Sequence, residues 1–296
     1  MRRWLPLCLA ILLAGGLVAA APAALAHPFT PQSGGSPNAD RINWLYRVGL
    51  YIAIVVFVGV EGALLYSLIR FRARRGRTPV MVRGNTRLEV GWTVGAAVIL
   101  VALAALTFAE LSSIRNPDNT GPGGYALAST GGGAQFASLE QRVPPNGRRL
   151  NIQVNGQQYI WRFTYPGAGP TGFGAPYSYE EMVVPTDTTI TLDVVSQDVV
   201  HSWWVPELGG KVDAVPGLTN HTWFKIHRPG LYRGQCAELC GRHHAAMIAT
   251  VRAVPPDQFA AWLAQRKADI AAAQQAAAAE RAKLNSQTGA ASVENP

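Results

Sequence analysis

The chain has 296 residues, 48% of them hydrophobic, and a formal net charge of +8. The charge is unevenly spread: residues 110–296 contain 15 basic and 15 acidic side chains, so the whole excess lies in residues 1–109. A neutral C-terminal portion argues against a basic surface for nucleic acid, and the N-terminal excess is instead typical of a membrane topology signal.

The first 26 residues have the organisation of a secretory signal peptide. Two arginines precede an apolar run, and a small-residue cleavage motif ends at Ala26. Cleavage there would remove Cys8, the first of three cysteines, and leave the other two in the exported protein. We expect residues 27–47 to form an exported segment ahead of the membrane.

Two further apolar stretches, residues 48–69 and 90–109, are long enough to cross a bilayer, since about 20 helical residues span the hydrocarbon core. Glu61 is the only charged residue within them. Seven arginines lie between the two stretches: Arg70, Arg72, Arg74, Arg75, Arg77, Arg83 and Arg87. Basic loops stay in the cytoplasm, so residues 48–111 are predicted to form a transmembrane hairpin in the bacterial cell membrane, with both ends on its outer face.

The exported portion begins with a glycine-rich connector, residues 112–149, and then changes to short β-rich runs separated by proline and glycine. The candidate strands span residues 150–154, 159–165, 179–184, 188–195, 219–226, 230–235 and 246–254. Strands at such intervals predict a Greek-key sandwich or barrel over residues 150–256. Residues 257–296 are expected to form a C-terminal helix and a disordered tail. The helical pattern covers residues 257–271, and the alanine-rich tail after it is expected to be helical at first and then disordered.

The chemistry of the exported portion is concentrated in one segment, Cys236-Ala-Glu-Leu-Cys240-Gly-Arg-His-His244-Ala-Ala-Met247, which contains two thiols, an imidazole and a thioether at close spacing. A second imidazole, His201, lies 35 residues before the first of these cysteines. Sulfur together with imidazole is the donor set that copper prefers over magnesium, calcium or manganese. The pattern therefore favours a copper site.

Two other interpretations of the cysteines compete with copper. A disulfide is the default for two cysteines in an exported domain, but it leaves His201, His244 and Met247 without a role. A structural zinc site commonly uses Cys-x2-Cys pairs and does not use a thioether. Copper accounts for more of these residues than either alternative.

The number of thiols indicates the form of the copper site. A mononuclear electron-transfer copper uses one cysteine, two histidines and a weak axial methionine. Here a second thiolate is present, and two thiolates can bridge two copper ions, with His201 and His244 each completing one of them. Met247 and the backbone carbonyl of Glu238 are then the expected weak axial ligands.

This ligand pattern resembles the binuclear copper-A centre of cytochrome c oxidase subunit II. The family pattern stands here in two blocks, His201-Ser-Trp-Trp-Val-Pro-Glu-Leu-Gly-Gly-Lys-Val-Asp-Ala-Val-Pro-Gly217 and Arg228-Pro-Gly-Leu-Tyr-Arg-Gly-Gln-Cys236. The likeness extends from about residue 40 to residue 262. It implies an all-β, cupredoxin-like Greek-key barrel preceded by a two-helix transmembrane hairpin. The sequence has no Cys-x-x-Cys-His motif for a fused cytochrome c.

The resemblance also implies partners. In an aa3-type oxidase the copper site accepts electrons from a c-type cytochrome and passes them to the haems of subunit I, where oxygen reduction is coupled to proton pumping. Subunit III is a further expected partner. The family's side chain between the two cysteines, here Glu238, ligates magnesium at the subunit I interface, and carboxylate suits that metal. Glu89 matches a glutamate near the mouth of a proton pathway; a helix-start carboxylate is the alternative interpretation.

The expected electron-uptake residues depart from the family pattern. The usual tryptophan is replaced by Tyr159 in the segment Gly156-Gln-Gln-Tyr159-Ile-Trp161. Either Tyr159 provides the docking contact, or electrons enter through another aromatic residue such as Trp161, which is more commonly a core residue on such a strand. Acidic residues that could attract a basic donor are few, so docking is expected to be less electrostatic than usual.

Two rival functions remain open at this point. Subunit II of a copper-A nitric-oxide reductase has the same electron-transfer site, because the reaction resides in its large partner. A membrane-tethered copper-delivery protein is of a different class and binds single copper ions. The number of coppers per chain separates such a protein from an electron relay.

Overall fold

The computed structural model describes residues 29–72, 81, 84–125, 137–138, 142–167 and 174–287. The predicted signal peptide, residues 1–26, lies outside the described residues. So do most of the arginine loop, the middle of the glycine-rich connector and the end of the C-terminal tail.

Two long helices open the described chain. Helix α1 spans Pro37–Arg70 and helix α2 spans Thr86–Arg115. Both are long and apolar enough to cross a membrane. They continue past the predicted apolar stretches on the exported side, where an ion pair between Arg41 and Glu110 (3.5 Å) joins their polar ends.

Eleven strands in the described part of the chain form two sheets. They are β1 (Ala137–Ser138), β2 (Leu150–Gln157), β3 (Ile160–Thr164), β4 (Tyr177–Tyr179), β5 (Glu181–Pro185), β6 (Thr189–Ser196), β7 (His201–Trp204), β8 (Val212–Ala214), β9 (Leu218–Lys225), β10 (Gly230–Cys236) and β11 (Ile248–Val254). One sheet has the order β1-β9-β6-β2-β3-β4 and the other β5-β11-β10-β7-β8. Parallel pairing joins β1 to β9, β2 to β6 and β5 to β11, and the other pairs are antiparallel. The predicted fold class, an all-β domain behind a two-helix hairpin, is confirmed.

Both sheets contribute to one hydrophobic core. Along β2, Leu150, Ile152 and Val154 are fully buried and alternate with less buried residues, as expected of a strand with one face on a core. Phe163 on β3 and Val251 on β11 bring the two sheets into the same cluster. Each such side chain stabilises the fold by about 1.5–3 kcal/mol through burial. The core therefore fixes the strand ends on which the site is built.

Several elements differ from the sequence prediction. Strands β7 and β8 were not predicted, because they are only four and three residues long and the polar His201-Ser pair gives no β pattern. The predicted strand over residues 179–184 is divided at Glu180, whose φ of 60° turns the chain from one sheet into the other. Helix α3 spans Pro256–Gln287 and so continues past residue 271 into the alanine-rich tail, consistent with the high helix propensity of alanine.

Hydrogen bonds between distant parts of the chain fasten the barrel to the hairpin. Asn38 Nδ2 donates to the Trp223 carbonyl (2.8 Å), and Trp223 Nε1 donates to the Ile114 carbonyl (2.9 Å). The backbone N–H of Lys225 donates to Ser36 Oγ (3.1 Å). We call these five residues the hairpin–barrel junction. Ser36, Asn38 and Trp223 are buried, so the bonds are protected from water.

Part of the predicted connector also packs against the barrel. Thr120 Oγ1 donates to the Arg148 carbonyl (2.5 Å) and accepts the backbone N–H of Thr189 (3.0 Å). The N–H of Gly121 donates to the Asp187 carbonyl (2.9 Å). The described ends of the connector are therefore hydrogen-bonded to the β domain and form part of its surface.

Candidate metal centre

The predicted ligands lie at one end of the barrel, on segments that backbone hydrogen bonds hold together. His201 is the first residue of β7, Cys236 is the last of β10, and Met247 directly precedes β11. The Cys236 N–H donates to the Met247 carbonyl (2.9 Å), and the Ala237 N–H donates to the Ser202 carbonyl (2.8 Å). The ligand-bearing loop is thus closed on itself and tied to the neighbouring strand.

The structure brings the predicted side-chain donors around two thiols. Cys236 Sγ lies 3.8 Å from His201 Nδ1. Cys240 Sγ lies 3.6 Å from His244 Nδ1 and 3.9 Å from Met247 Sδ. The two sulfurs are 4.0 Å apart, and the ligand atoms of His201, Cys236 and Cys240 all lie within 4.8 Å of one another. Each thiol therefore faces its own imidazole.

This donor set fits copper better than the two alternatives. The separation of 4.0 Å is about twice the S–S bond length of a disulfide, and both cysteines are free thiols in the structure. The thioether of Met247 is buried against Cys240, whereas zinc sites do not use thioethers. Buried thiol, thioether and imidazole groups are the donors that hold copper in electron-transfer sites.

Asp198 is hydrogen-bonded to the His201 ring nitrogen that does not face Cys236, a role that was not predicted. His201 is fully buried, and its Nε2 lies 2.9 Å from Asp198 Oδ1. An ionised carboxylate only accepts hydrogen bonds, so Nε2 carries the proton and Nδ1 is left to face Cys236. Burial raises the pKa of Asp198, but hydrogen bonds from His201 and from the backbone N–H groups of Gln158 and Val199 outweigh it. The pKa is therefore below its usual value, and the carboxylate stays charged.

Cys240 has a strongly perturbed thiol. Burial, and after it the neighbouring Cys236, raise the pKa of Cys240 to about 11. A thiol with this pKa keeps its proton at neutral pH, whereas the thiolate is the form that ligates metals. Metal binding must therefore displace a proton from Cys240.

Trp161 packs behind His201. It is fully buried, and its ring lies 5.8 Å from the His201 imidazole, centroid to centroid, at 65°. Gly156 leaves room for both rings, because a Cβ there would lie 2.9 Å from His201 Cδ2 and 3.1 Å from Trp161 Cζ3. A fully buried ring presents no surface to a donor protein. This favours the core interpretation of Trp161 and leaves Tyr159 as the candidate docking contact.

Tyr159 and its neighbour Gln158 lie against the copper loop, which we define as residues 236–247. Tyr159 is half-buried, and its Oη accepts the backbone N–H of Arg242 (3.1 Å). Gln158 Nε2 donates to the Cys240 carbonyl (2.6 Å). Two hydrogen bonds therefore connect this part of the surface to the backbone of the ligand loop.

The two glutamates with predicted roles at subunit I have different surroundings. Glu238 is exposed, and its backbone carbonyl oxygen lies 3.3 Å from Cys236 Sγ, where the weak axial ligand was predicted. Glu89 Oε1 accepts the backbone N–H of Asn85 (3.3 Å), while Asn85 Oδ1 accepts that of Leu88 (3.2 Å). This reciprocal cap gives Glu89 a structural function at the start of α2, the alternative that the sequence left open.

Sequence reasoning missed two supporting residues of the site. Asp198 was not predicted to support the site, although its position three residues before His201 could have suggested an orienting partner. Gly156 carries no chemical group, and the strand pattern alone does not show what a Cβ would meet. Both act by fixing an imidazole that is itself recognisable from the sequence.

A β domain that holds a buried thiol and imidazole cluster behind a membrane-spanning hairpin defines the class of membrane-anchored copper proteins. Two family profiles match the chain. The profile of the cytochrome c oxidase subunit II transmembrane domain matches residues 24–109, and that of the periplasmic domain matches residues 176–254.

Individual relatives agree with the profiles. Cytochrome c oxidase subunit 2 of Cereibacter sphaeroides is 32% identical over 298 residues, covering 86% of this chain and 89% of the relative. The Synechocystis protein of the same name is 32% identical over 268 residues, covering 80% of this chain and 76% of the relative. A solved structure, the periplasmic domain of cytochrome oxidase subunit II of Bradyrhizobium japonicum, is 34% identical. It covers 41% of this chain and 95% of that domain, with a TM-score of 0.38.

The chain belongs to the cytochrome c oxidase subunit II family. It is a membrane protein with a periplasmic domain and a subunit of a cytochrome c oxidase.

Proposed function

We propose that the chain is the electron-accepting subunit of an aa3-type cytochrome c oxidase in the bacterial inner membrane. It relays single electrons from a c-type cytochrome to the haems of subunit I, where oxygen reduction is coupled to proton pumping. The observation that carries the proposal is the pair of buried thiol sulfurs 4.0 Å apart, each facing its own imidazole nitrogen.

The proposed centre is binuclear. The thiolates of Cys236 and Cys240 and the Nδ1 atoms of His201 and His244 would hold the two copper ions. Met247 Sδ and the Glu238 carbonyl oxygen are the proposed weak ligands, because Met247 Sδ lies 3.9 Å from Cys240 Sγ and the Glu238 carbonyl oxygen lies 3.3 Å from Cys236 Sγ. Copper supplies one-electron redox chemistry when it is bound.

The protein's contribution is to keep the ligands in place and dry. Cys236, Cys240 and Met247 are at most 4% exposed, and His201 is fully buried. The charged Asp198 keeps the Nδ1 of His201 directed at Cys236. Ligands that are preorganised in a water-excluded site reorganise little when the charge of the site changes, and fast electron transfer requires this.

Tyr159 is the proposed electron-uptake contact. It is partly accessible, and its hydroxyl is hydrogen-bonded to the backbone of the copper loop two residues after Cys240. Gln158 provides a second hydrogen-bonded connection to Cys240 itself. The surrounding charges are mixed, with Arg242 on the loop and Asp198 next to Gln158, so we propose that donor docking depends only weakly on salt.

Two glutamates are proposed to serve the contact with subunit I. The exposed side chain of Glu238 is available for a magnesium ion at that interface, as carboxylate oxygen is a suitable ligand. Glu89 is proposed to lie near the mouth of a proton pathway while it also caps α2. Subunit III completes the proposed complex.

Metal counting and spectroscopy test the proposal. The full-length chain, loaded with copper, is expected to bind two coppers per chain that share one unpaired electron in the oxidised state. One copper per chain, or a localised unpaired electron, would identify a copper-delivery protein instead. Measuring whether the purified complex consumes oxygen or nitric oxide then separates an oxidase from a nitric-oxide reductase.

The role of Tyr159 has its own test in the assembled complex. Tyr159→Ala is expected to slow reduction of the copper site by a c-type cytochrome, while the copper content stays unchanged. Tyr179→Ala is the matched control, because Tyr179 is also an accessible aromatic residue but lies on β4. Equal reduction rates for the two variants would remove Tyr159 from the pathway.

A further inference from the structure

A cavity of about 200 Å³ lies where the β domain meets the outer ends of the two membrane helices. Its lining comes from Asn38 of α1, from Arg115 at the end of α2, and from Trp223 on β9. Arg142, in the connector, and Lys211, before β8, complete its polar side. The cavity is separate from the copper site and is not used by the proposed electron relay.

The lining of this junction cavity is positively charged. Among the described residues, none of Arg115, Arg142 and Lys211 forms a salt bridge with a carboxylate. A further cationic candidate, His221, is already paired with Asp193 at 2.8 Å. Arg142 donates to the side-chain oxygen of Asn116, and Lys211 Nζ lies 5.0 Å from the centroid of the Trp204 ring, but neither partner carries a negative charge. The three basic side chains therefore repel one another, and an anion between them would relieve this repulsion.

The last backbone carbonyl groups of helix α2 lie next to the cavity and accept hydrogen bonds. The end of helix α2 carries a partial negative charge on its last carbonyls, which would oppose an anion. One of these, the Ile114 carbonyl, accepts the indole N–H of Trp223 at 2.9 Å. The N–H of Asn116 donates to another, the Ser112 carbonyl, at 2.9 Å. The residues that line the cavity include no acidic side chain, and two of the helix-end carbonyls already accept hydrogen bonds.

The depth of the cavity matches the phosphate layer of a bilayer. The apolar stretch of α2 ends at residue 109, and Arg115 lies six residues further along the helix, about 9 Å at 1.5 Å per residue. The polar layer on each side of the hydrocarbon core is on the order of 5–8 Å thick. The backbone of Arg115 is thus just above the polar layer, so its long side chain can reach the level at which lipid phosphates lie.

We propose that the junction cavity is a binding site for a phosphate group. Arginine forms paired hydrogen bonds to phosphate oxygens, and lysine adds a compact charge, so the chemistry of the lining suits this ligand. The phosphate can belong to an anionic phospholipid of the outer leaflet or to a soluble phosphate compound. A phosphate held there bridges α2, the connector and β8.

Native mass spectrometry of the full-length chain tests the site. The chain is reconstituted with phosphatidylglycerol or with phosphatidylcholine, and bound lipid is counted after release from the membrane mimic. The double variant R115Q/R142Q is compared with Arg233→Gln, which removes a positive charge from the exposed surface of β10. Copper content, measured in every sample, shows that the variants are folded.

We expect phosphatidylglycerol to be retained by the wild type and by Arg233→Gln, and retention to fall by about tenfold in the double variant because charge-assisted hydrogen bonds are lost. Inorganic phosphate that binds the wild type and displaces no lipid would assign the site to a soluble phosphate compound. Equal retention of lipid and of phosphate by the wild type and the double variant would overturn the proposal. A structure of the assembled complex in which an acidic segment of another subunit fills the cavity would also overturn the proposal.

Discussion

The two imidazoles of the metal centre are held in different ways. His201 lies on a strand, is fully buried, and is fixed by Asp198 on one side and by the Trp161 ring on another. His244 opens a single 3₁₀ turn in the copper loop and is only half-buried. One half of the site is therefore built by the barrel, and the other by a loop.

This difference indicates how the centre can be both rigid and accessible. The strand half keeps an imidazole and a thiol in position before metal arrives, because strands and core fix them. The loop half carries Cys240, His244 and Met247 within one short segment, so it can open locally without disturbing the core. We expect the strand half to determine geometry and the loop half to tune the metal.

The largest effect is expected from removing either of the two cysteine thiols, which are the proposed link between the two halves of the site. Cys236→Ser or Cys240→Ser should abolish the two-copper optical and EPR signals, because one thiolate cannot bridge two ions and complete both ligand sets. Ser202→Ala is the control, since it changes a neighbouring buried side chain that is no ligand. A two-copper spectrum in both serine variants would show that the ligand assignment is wrong.

Gly156→Ala should damage the strand half selectively. The new Cβ would lie 2.9 Å from His201 Cδ2 and 3.1 Å from Trp161 Cζ3, so the rings or the strand must move. We expect about 1–3 kcal/mol lower unfolding free energy of the metal-free protein and a distorted copper spectrum. Gly123→Ala is the matched control, because a Cβ at that position meets nothing within 4 Å. Identical behaviour of the two variants would contradict the proposed packing.

Asp198→Asn sharpens the comparison by removing charge while keeping a hydrogen-bond acceptor. His201 would lose the carboxylate that fixes its tautomer, and copper affinity should fall by about 10–100-fold in competition with a chelator. Asp193→Asn serves as the control, because Asp193 pairs with His221, which is not a predicted ligand. An unchanged affinity in Asp198→Asn would mean that packing alone orients His201.

Met247→Leu should have the smallest effect and act only on the loop half. The exchange nearly conserves volume at a buried position, so stability should change by less than about 1.5 kcal/mol. Two coppers should remain bound, while the reduction potential shifts because a weak axial ligand is lost. Redox titration checks this, and loss of one copper would show that the thioether is more than a weak ligand.

The sequence predicted much of this architecture, for identifiable reasons. The apolar stretches are long enough to cross a bilayer, which predicts the two membrane helices. The spacing of the cysteine, histidine and methionine residues matches few kinds of site other than a copper site. The structure brings all of these donors together around Cys236 and Cys240. Local patterns suffice where the chemistry of a residue is itself informative.

Features that depend on tertiary contacts could not be read in advance. Strand β7 is short and polar, and its pairing with β10 and β8 is what places His201. The burial of Trp161 and the hydrogen bond from His201 to Asp198 depend on how β2, β3 and β7 meet in space. The junction cavity likewise combines residues separated by more than a hundred positions.

The hairpin–barrel junction has a consequence for how the complex is assembled. Asn38, Ser36 and Trp223 fix the β domain on its helices, so in the proposed complex the subunit would meet subunit I as a single body with its tilt already set. Little orientational freedom is then lost when the two subunits dock, so more of the contact energy remains as affinity. In the proposed electron relay, the same three residues would set the height of the copper site above the lipid and, with it, the distance that an electron travels into the membrane.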